Sequence, residues 1–357
     1  MATGFLRLQC YSLLMLSRRT ALQALGAAAL LPMAIPAAAQ AATRKPPRLR
    51  PGDTVGLIQP AGFIADPFEL QFAVETIRAM GLVPKLGRHL NARHGYLAGT
   101  DAERAADVNA MFADREVRAI FAARGGWGCA RILPHLDWRS IRSNPKLLVG
   151  FSDITALHLA IAAKAGFATI HGPNAGASWG RLSWDAFRAI AFDGATPTIQ
   201  NPPGTSEQLI QRSGRIQTHR AGRASGRLLG GNLTVLTGLI GTAYLPSFDG
   251  AILFLEDVEE AEYRVDRMLT QLALGGTLAR VAGVVFGQCT RCTGTGPSYG
   301  GFTLSEVLGQ HLSQLGIPAF SGALFGHISD QFSLPIGIRA EIDAEAGTIQ
   351  MLEPAVA

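Results

Sequence analysis

The sequence predicts an α/β protein of two domains, the first built on a doubly wound, Rossmann-like parallel sheet. Short aliphatic runs such as Val117–Ala122 and Lys146–Val149 suit strands buried on both faces, because such strands are apolar throughout. Segments with helical spacing alternate with these runs, and glycine-containing turns separate them. Between Ala195 and Arg212 the periodicity stops in a stretch rich in Pro, Thr, Asn and Gln, which indicates a linker to a second domain.

Apolar periodicity and capping residues predict the individual elements in chain order. Strands are expected at Thr54–Ile58, Val117–Ala122, Lys146–Val149, Phe167–His171, Ala251–Leu255, Val281–Phe286, Ala319–Leu324, Ile336–Ile342 and Thr348–Leu352. Helices are expected at Phe68–Met80, Asp101–Ala113, Arg131–Leu136, Ile154–Ile161, Leu233–Ile240, Arg264–Leu274 and Leu304–Leu315. Because strands and helices alternate most regularly before the linker, the first domain should carry the parallel sheet, and the second should be smaller and mixed α/β.

The expected boundaries follow from these changes in composition. A basic, proline-containing linker at 42–53 leads into the first domain at 54–194. An inter-domain linker at 195–221 precedes the second domain at 222–357. The chain is long enough for each domain to have a sizeable core.

Residues 1–41 have the features of an export signal. The twin arginine Arg18–Arg19 precedes an alanine-rich apolar run that ends in small residues near Ala39. A transmembrane anchor is the alternative, but two prolines and the weakly apolar alanines disfavour a stable span of about 20 residues. We therefore expect a cleaved twin-arginine signal, a periplasmic mature protein and no stable membrane span. The residues before Met15 are atypical of a signal, which favours translation from Met15 instead of Met1.

Charge gives little reason to expect a nucleic-acid partner. The whole chain has 32 basic and 27 acidic residues, and loss of 1–41 removes three arginines and no acid. The remaining chain is close to neutral and has no basic run, whereas nucleic-acid-binding domains usually carry a concentrated basic patch.

The cysteines do not predict a metal centre. Cys289 and Cys292 have a spacing seen in metal sites, but no second Cys or His pair lies near them in the sequence. A local disulfide and two free thiols both fit this pair. Cys129 is expected to be a small core residue.

Ser152 lies between a predicted strand and a predicted helix, in the turn Gly150–Asp153. A serine in such a turn stands at the carboxyl end of the sheet, where the amides that open the helix point at whatever the hydroxyl attacks. The pattern is a variant of the nucleophile elbow, because Ile154 occupies the position of the usual second glycine. The alternative is a helix cap, in which Ser152 or Asp153 binds the first helical amides, and the turn by itself favours the cap.

Two polar residues that suit a serine hydrolase follow apolar runs of the second domain. Glu256 directly abuts a predicted strand, and His327 follows a glycine. A serine nucleophile needs a base within hydrogen-bond reach and an acid that orients the base. His171, at the end of a first-domain strand, is a second candidate for the base, and the residue pattern does not choose between them. His158 should face away from Ser152 on the same helix and lie in the core.

Five short motifs occur in a fixed order along the chain. They are Arg124–Gly128, Gly150–Thr155, His171–Pro173, Leu255–Val258 with Tyr263–Leu269, and Gly326–His327 followed by Leu334–Gly337. In this combination the chain resembles the LD-carboxypeptidase family of serine peptidases, which includes muramoyltetrapeptide carboxypeptidases and microcin-immunity peptidases. The resemblance runs from Thr54 to about Ile349. The chain departs from the family at Trp127, where a tyrosine is common, and in its export signal, because the recycling members are cytoplasmic.

The resemblance implies a Ser–His–Glu triad in which Ser152 is the nucleophile, His327 the base and Glu256 the acid. It also implies an oxyanion hole formed by the backbone amides of Asp153 and of the Gly125–Gly126 turn. Neither a metal nor an organic cofactor is required. The family's substrates are peptides with an L-residue before a terminal D-amino acid, as in the murein tetrapeptide. A site in the cleft between the domains, a partly closed second sheet and a homodimer are further implications.

Two other functions fit the sequence less well. An immunity-type peptidase or amidase that cleaves a peptide–nucleotide antibiotic would use the same triad with a different pocket. A periplasmic two-domain binding protein would explain the signal and the domains, but it gives no reason for Ser152, Glu256 and His327 to converge.

Overall fold

The computed structural model describes residues 42–203, 214–292 and 301–357. The expected signal at 1–41 and part of the expected linker at 195–221 lie outside these residues. The described strands are β1 (Thr54–Ile58), β2 (Val83–Leu86), β3 (Val117–Ala122), β4 (Leu147–Gly150), β5 (Thr169–His171), β6 (Thr198–Gln200), β7 (Gln217–Arg220), β8 (Arg223–Asn232), β9 (Ile252–Val258), β10 (Gly283–Thr290), β11 (Ala319–Ser321), β12 (Leu334–Ile336), β13 (Arg339–Asp343) and β14 (Thr348–Met351).

The described helices are α1 (Pro67–Ala79), α2 (Asp101–Ala113), α3 (Cys129–Ile132), α4 (Trp138–Ser143), α5 (Thr155–Lys164), α6 (Arg181–Ala191), α7 (Leu233–Thr237), α8 (Glu262–Leu274) and α9 (Leu304–Leu312). Capping boxes begin two of them: Thr100 and Glu103 exchange hydrogen bonds at α2, and Thr303 and Glu306 do so at α9. Across the three described ranges, no helix combines the length and the apolar character that a membrane span needs.

The first sheet is parallel except at one edge. Its strand order is β12-β5-β4-β3-β1-β2, and β12 alone runs antiparallel to its neighbour. The carboxyl ends of β1, β3, β4 and β5 therefore lie along one side, which is where open α/β sheets bind their ligands.

The second sheet is mixed. Its order is β6-β14-β13-β8-β9-β10-β11-β7, in which the neighbours from β8 to β11 are parallel and the outer strands antiparallel. Within the described residues no pairing joins the edge strands β6 and β7, so the sheet is open. The two-sheet α/β architecture confirms the predicted fold class, whereas the partly closed sheet is not found.

The structure differs from the sequence prediction at several elements. The single strand expected at Ile336–Ile342 is two strands, because Gly337 turns the chain with φ +91° and sends β12 to the first sheet and β13 to the second. The expected linker at 195–221 contributes β6 and β7 to the second sheet. The helices α4 and α6 were not predicted. At 42–53, Leu49 is buried and its amide donates to Ala191 O at 2.8 Å.

The front half of the chain, up to residue 194, and the back half, from residue 222, are joined by contacts beside Ser152. The strand β12 comes from the back half and completes the first sheet at β5. At the carboxyl end of β8, the backbone amide of Asn232 donates to Thr155 Oγ1 at 3.0 Å, at the start of α5. One apolar core includes Ile154 from the front half and Leu229 and Phe254 from the back half. Groups from the two sheets can therefore be held in a fixed geometry.

Candidate active site

The chain bends sharply at Ser152, between β4 and α5. Ser152 has φ +65°, a left-handed backbone conformation that few residues other than glycine adopt, and a short 3-10 turn at Ser152–Ile154 leads into the helix. Positive φ at a serine between a strand and a helix is the geometry of a nucleophile elbow. The bend leaves the hydroxyl half-exposed at the carboxyl edge of the first sheet.

The helix-cap alternative is wrong for both residues considered. Neither the 3-10 turn nor α5 has a side-chain cap. The carboxylate of Asp153 is buried and its Oδ2 accepts a hydrogen bond from the backbone amide of Cys129 at 2.7 Å, at the start of α3. Burial raises the pKa of Asp153 above its ordinary value. Its side chain thus ties the elbow to the neighbouring turn, while Ser152 Oγ is left to another partner.

Ser152, His327 and Glu256 form one chain of hydrogen bonds. His327 Nδ1 lies 2.7 Å from Glu256 Oε2, and because a carboxylate only accepts, Nδ1–H must be the donor. His327 Nε2 is then free to accept the proton of Ser152 Oγ, which lies 2.9 Å away. Glu256 is completely buried on β9, and its second oxygen, Oε1, has no hydrogen-bond partner in the described structure. The structure therefore brings the three predicted residues together in the order acid, imidazole, hydroxyl.

The loop that carries His327 is held from several sides. Thr290 Oγ1, at the end of β10, donates to the backbone carbonyl of His327 at 2.6 Å. The ring of Phe151 packs against the imidazole with centroids 4.8 Å apart. Gly326 has φ +110°, and a Cβ there would lie 2.8 Å from Glu256 Oε2, so only glycine fits between the loop and the acid. These contacts fix the imidazole in position for both of its hydrogen bonds.

His171 and His158 do not take part in this chain. His171 is buried against the rings of Phe151, Phe254 and Phe325, and neither of its ring nitrogens has a hydrogen-bond partner in the described structure. Burial lowers its pKa well below the ordinary value, and nearby His158 lowers it further. His158 is also buried, which lowers its pKa to about 4, and its Nε2 lies 2.8 Å from Gly150 O. His171 is therefore a core residue, and His327 is the imidazole at the hydroxyl.

The Gly125–Gly126 turn lies against the elbow. A Cβ on Gly125 would be 2.8 Å from the Cβ of Ser152 and 3.1 Å from its Oγ, so a side chain at this position would displace the hydroxyl. The carbonyl of Gly125 accepts from the backbone amide of Gly62 at 3.2 Å, which anchors the turn to the loop after β1. The structure thus places Gly125 of the predicted oxyanion hole against Ser152, while Gly126 and Asp153 directly follow Gly125 and Ser152 in the chain.

A second buried carboxylate neighbours Glu256 on β9. Asp257 accepts hydrogen bonds from Asn232 Nδ2 at 2.9 Å and from the amide and hydroxyl of Thr234 at 3.0 and 2.9 Å. Burial, reinforced by the charge of Glu256, raises the pKa of Asp257 to about 6. Asp257 anchors the start of α7, a role that its position beside Glu256 in the sequence did not reveal.

The structure chooses between the two states that the sequence allowed for Cys289 and Cys292, and it confirms Cys129 as a core residue. Cys289 and Cys292 form a disulfide across the turn that ends β10, with Cα atoms 5.3 Å apart. Cys129 is a buried free thiol, and burial raises its pKa well above the ordinary value. Among the described residues, no group of three or more His, Cys, Asp or Glu side chains is arranged to hold a metal ion.

Models of one protein family match both halves of the chain. Residues 55–172 match the model of the LD-carboxypeptidase N-terminal domain, and residues 225–342 match that of the C-terminal domain. The probable murein peptide carboxypeptidase of Bacillus subtilis is 38% identical over 312 residues, which cover 85% of this chain and 93% of that protein.

Solved structures agree in fold. Muramoyltetrapeptide carboxypeptidase from Oxalobacter formigenes is 28% identical with a TM-score of 0.70, and the match covers 84% of this chain and 97% of that one. MccF in complex with glutamyl sulfamoyl guanosine is 25% identical with a TM-score of 0.78, over 88% of this chain and 99% of that one. In Escherichia coli, MccF is the microcin C7 self-immunity protein. With both family domains matched over most of its length, the chain belongs to the LD-carboxypeptidase family and is a serine-type carboxypeptidase.

Proposed function

We propose that the protein removes the terminal D-amino acid from a murein tetrapeptide by acyl transfer through Ser152, His327 and Glu256. The observation that carries this proposal is the pair of hydrogen bonds, 2.9 and 2.7 Å long, that joins the three side chains. A nucleophile, a base and an orienting acid within this reach are what serine hydrolysis needs. The names of the Bacillus and Oxalobacter proteins support the substrate class.

In the first half of the reaction, Ser152 Oγ attacks the carbonyl carbon of the L-residue while His327 Nε2 takes its proton. Glu256 keeps Nδ1–H directed toward itself and stabilises the imidazolium that forms. The amides of Gly126 and Asp153 bind the oxyanion, and loss of one such donor typically costs about 3 kcal/mol. His327 then returns the proton to the leaving amine, so the C–N bond breaks and the D-amino acid departs from an acyl ester on Ser152.

In the second half, water replaces the amine. His327 takes a proton from the water as its oxygen attacks the ester carbonyl, and the same amides bind the second oxyanion. Collapse of this intermediate returns the proton to Ser152 Oγ and releases the shortened peptide with a new carboxylate. The three side chains and one water account for every proton and bond.

A second candidate is an immunity-type peptidase or amidase that acts on a peptide–nucleotide antibiotic. The likeness to MccF bound to glutamyl sulfamoyl guanosine favours it. The triad would perform the same acyl transfer on either substrate, so the pocket around the leaving group decides between them.

We also propose that the mature protein acts in the periplasm after twin-arginine export, as a homodimer. The sequence of 1–41 supports export. The disulfide between Cys289 and Cys292 supports an oxidising compartment, because such bonds persist outside the cytoplasm. The homodimer rests on the family resemblance.

Incubation with murein peptides tests the proposed substrate. Purified chain beginning at Ala42 should convert the tetrapeptide to the tripeptide with release of one D-alanine, and should leave the tripeptide unchanged because no terminal D-residue follows its L-centre. Mass spectrometry of the products, beside a parallel reaction with an aminoacyl sulfamoyl nucleoside, measures both activities. Cleavage of the sulfamoyl compound alone would favour the immunity-type function and contradict the murein proposal.

A further inference from the structure

A small pocket opens beside the Gly125 turn, and the positively charged side chain of Arg124 forms part of its wall. It has a volume of about 270 Å³, and the residues that line it include Ile64, Glu69, Phe72, Arg124, Asn174 and Ala177. Arg124 directly precedes Gly125, where an added Cβ would lie 2.8 Å from the Cβ of Ser152. Because Arg124 and Asn174 follow the ends of β3 and β5, the pocket lies at the carboxyl edge of the first sheet, where Ser152 also lies.

Arg124 lines this pocket and has no acidic partner among the described residues. Its Nη1 donates to the carbonyl of Phe63 at 3.0 Å, and it forms no ion pair with any described residue, including Glu69, which lines the same pocket. Its neighbours are engaged elsewhere: buried Arg104 bonds to Pro60 O, Gly128 O and Asp101, and Arg131 pairs with Asp101. An exposed guanidinium with free donors is suited to a carboxylate, which it can bind through two parallel hydrogen bonds.

Asn174 supplies a second donor in the same pocket. Its Oδ1 accepts from the backbone amide of Phe151 at 3.2 Å, which fixes the orientation of the side-chain amide next to the elbow. Its Nδ2 donates to no acceptor among the described residues. A guanidinium and an amide N–H thus line the same pocket, while Ile64, Phe72 and Ala177 provide apolar surface for a small side chain.

We infer that this pocket receives the departing residue of the substrate, with Arg124 and Asn174 binding its free terminal carboxylate and the apolar side accepting its methyl group. The inference rests on the proposed function and assigns the residues that would make the enzyme a carboxypeptidase. An enzyme that removes only the last residue must recognise the free terminal carboxylate, because an internal residue has none. The carbon of this carboxylate lies two bonds from the nitrogen of the scissile bond. A cation one residue from the turn that touches Ser152 is placed for this recognition.

The test compares one L,D-tetrapeptide as the free acid and as its C-terminal carboxamide. For the wild type, the acid should have the lower KM. Arg124→Gln should raise KM for the acid about 10- to 100-fold, the value of a hydrogen-bonded ion pair, with little change in kcat and no change for the amide. Arg124→Lys should recover part of the preference, because it keeps the charge but not the paired donors.

Arg93→Gln is the matched control. The Arg93 guanidinium lies over the ring of Phe63, 4.2 Å from its centroid, but Arg93 does not line the pocket, so its substitution should preserve the acid-over-amide preference. Calorimetric binding of both peptides to Ser152→Ala separates this inference from the proposed chemistry, since binding needs no turnover. If Ser152→Ala binds the acid more tightly than the amide, and the double variant Ser152→Ala/Arg124→Gln does not, the inference is supported even when hydrolysis fails. Equal binding of acid and amide, no binding of either, or a preference that survives Arg124→Gln would overturn it.

Discussion

Substitution of Ser152 by alanine is expected to abolish hydrolysis, lowering kcat/KM by about 10⁴- to 10⁶-fold. Among the described residues, the Ser152 hydroxyl is the only hydrogen-bond partner of His327 Nε2, at 2.9 Å. Its removal therefore leaves the base without a nucleophile to activate. The fold should persist, because the substitution removes one half-exposed hydrogen bond, worth about 1 kcal/mol. Product release measured by mass spectrometry, together with a thermal melt, checks both parts.

Ser143→Ala provides the matched control for that loss. Ser143 is an exposed serine at the end of α4, whose hydroxyl donates to Arg139 O at 2.9 Å. Its replacement should leave kcat/KM unchanged. Wild-type activity in Ser152→Ala would exclude Ser152 as the nucleophile, and unfolding of that variant would instead show that the elbow needs the hydroxyl for stability.

Glu256→Gln is expected to lower kcat by about 10²- to 10⁴-fold while the protein stays folded. The glutamine amide can donate to Nδ1, which favours the tautomer with the proton on Nε2, and that nitrogen can then no longer accept from Ser152. The charge that stabilises the imidazolium is lost as well. Stability should change little, because the substitution keeps the size of the side chain and replaces a buried carboxylate whose Oε1 has no partner. Steady-state kinetics and a thermal melt measure the two effects.

Glu259→Gln, three residues along the chain, is the control for the loss of a negative charge. Glu259 is exposed and pairs with Arg291 at the surface, so its neutralisation should leave both kcat and the melting temperature nearly unchanged. If both glutamine variants kept full activity, the acid would have no part in catalysis and His327 would act without an orienting carboxylate.

The sequence singled out Ser152, Glu256 and His327 because each follows a buried strand or an apolar run, and such positions cluster at the carboxyl edges of parallel sheets. The turn at Ser152 by itself favoured a helix cap, and the roles of the three residues came from the family resemblance. What the local pattern could not decide was which imidazole meets the hydroxyl. His171 also ends a strand, but the rings of Phe151, Phe254 and Phe325 enclose it. That enclosure depends on side chains from distant parts of the chain, and only the assembled fold shows it.

Residues that support the site were missed for the same reason. Thr290, which bonds the backbone of His327, and Asn174, which bonds the backbone of Phe151, make contacts 37 and 23 residues away in the sequence. The prediction of one continuous strand at Ile336–Ile342 was also wrong, since the turn at Gly337 divides this segment between two sheets. Periodicity locates elements well, but it does not report which sheet a strand joins or which side chain a loop supports.

Covalent trapping tests the central claim, that His327 and Glu256 activate Ser152, most directly. After treatment with a fluorophosphonate, intact-mass measurement should show one adduct per chain, and peptide mapping should place it on Ser152. The rate of labelling should fall strongly in Glu256→Gln and stay unchanged in Glu259→Gln. A chain that remains unlabelled, an adduct on another residue, or labelling of Ser152 at the same rate in Glu256→Gln would contradict the account.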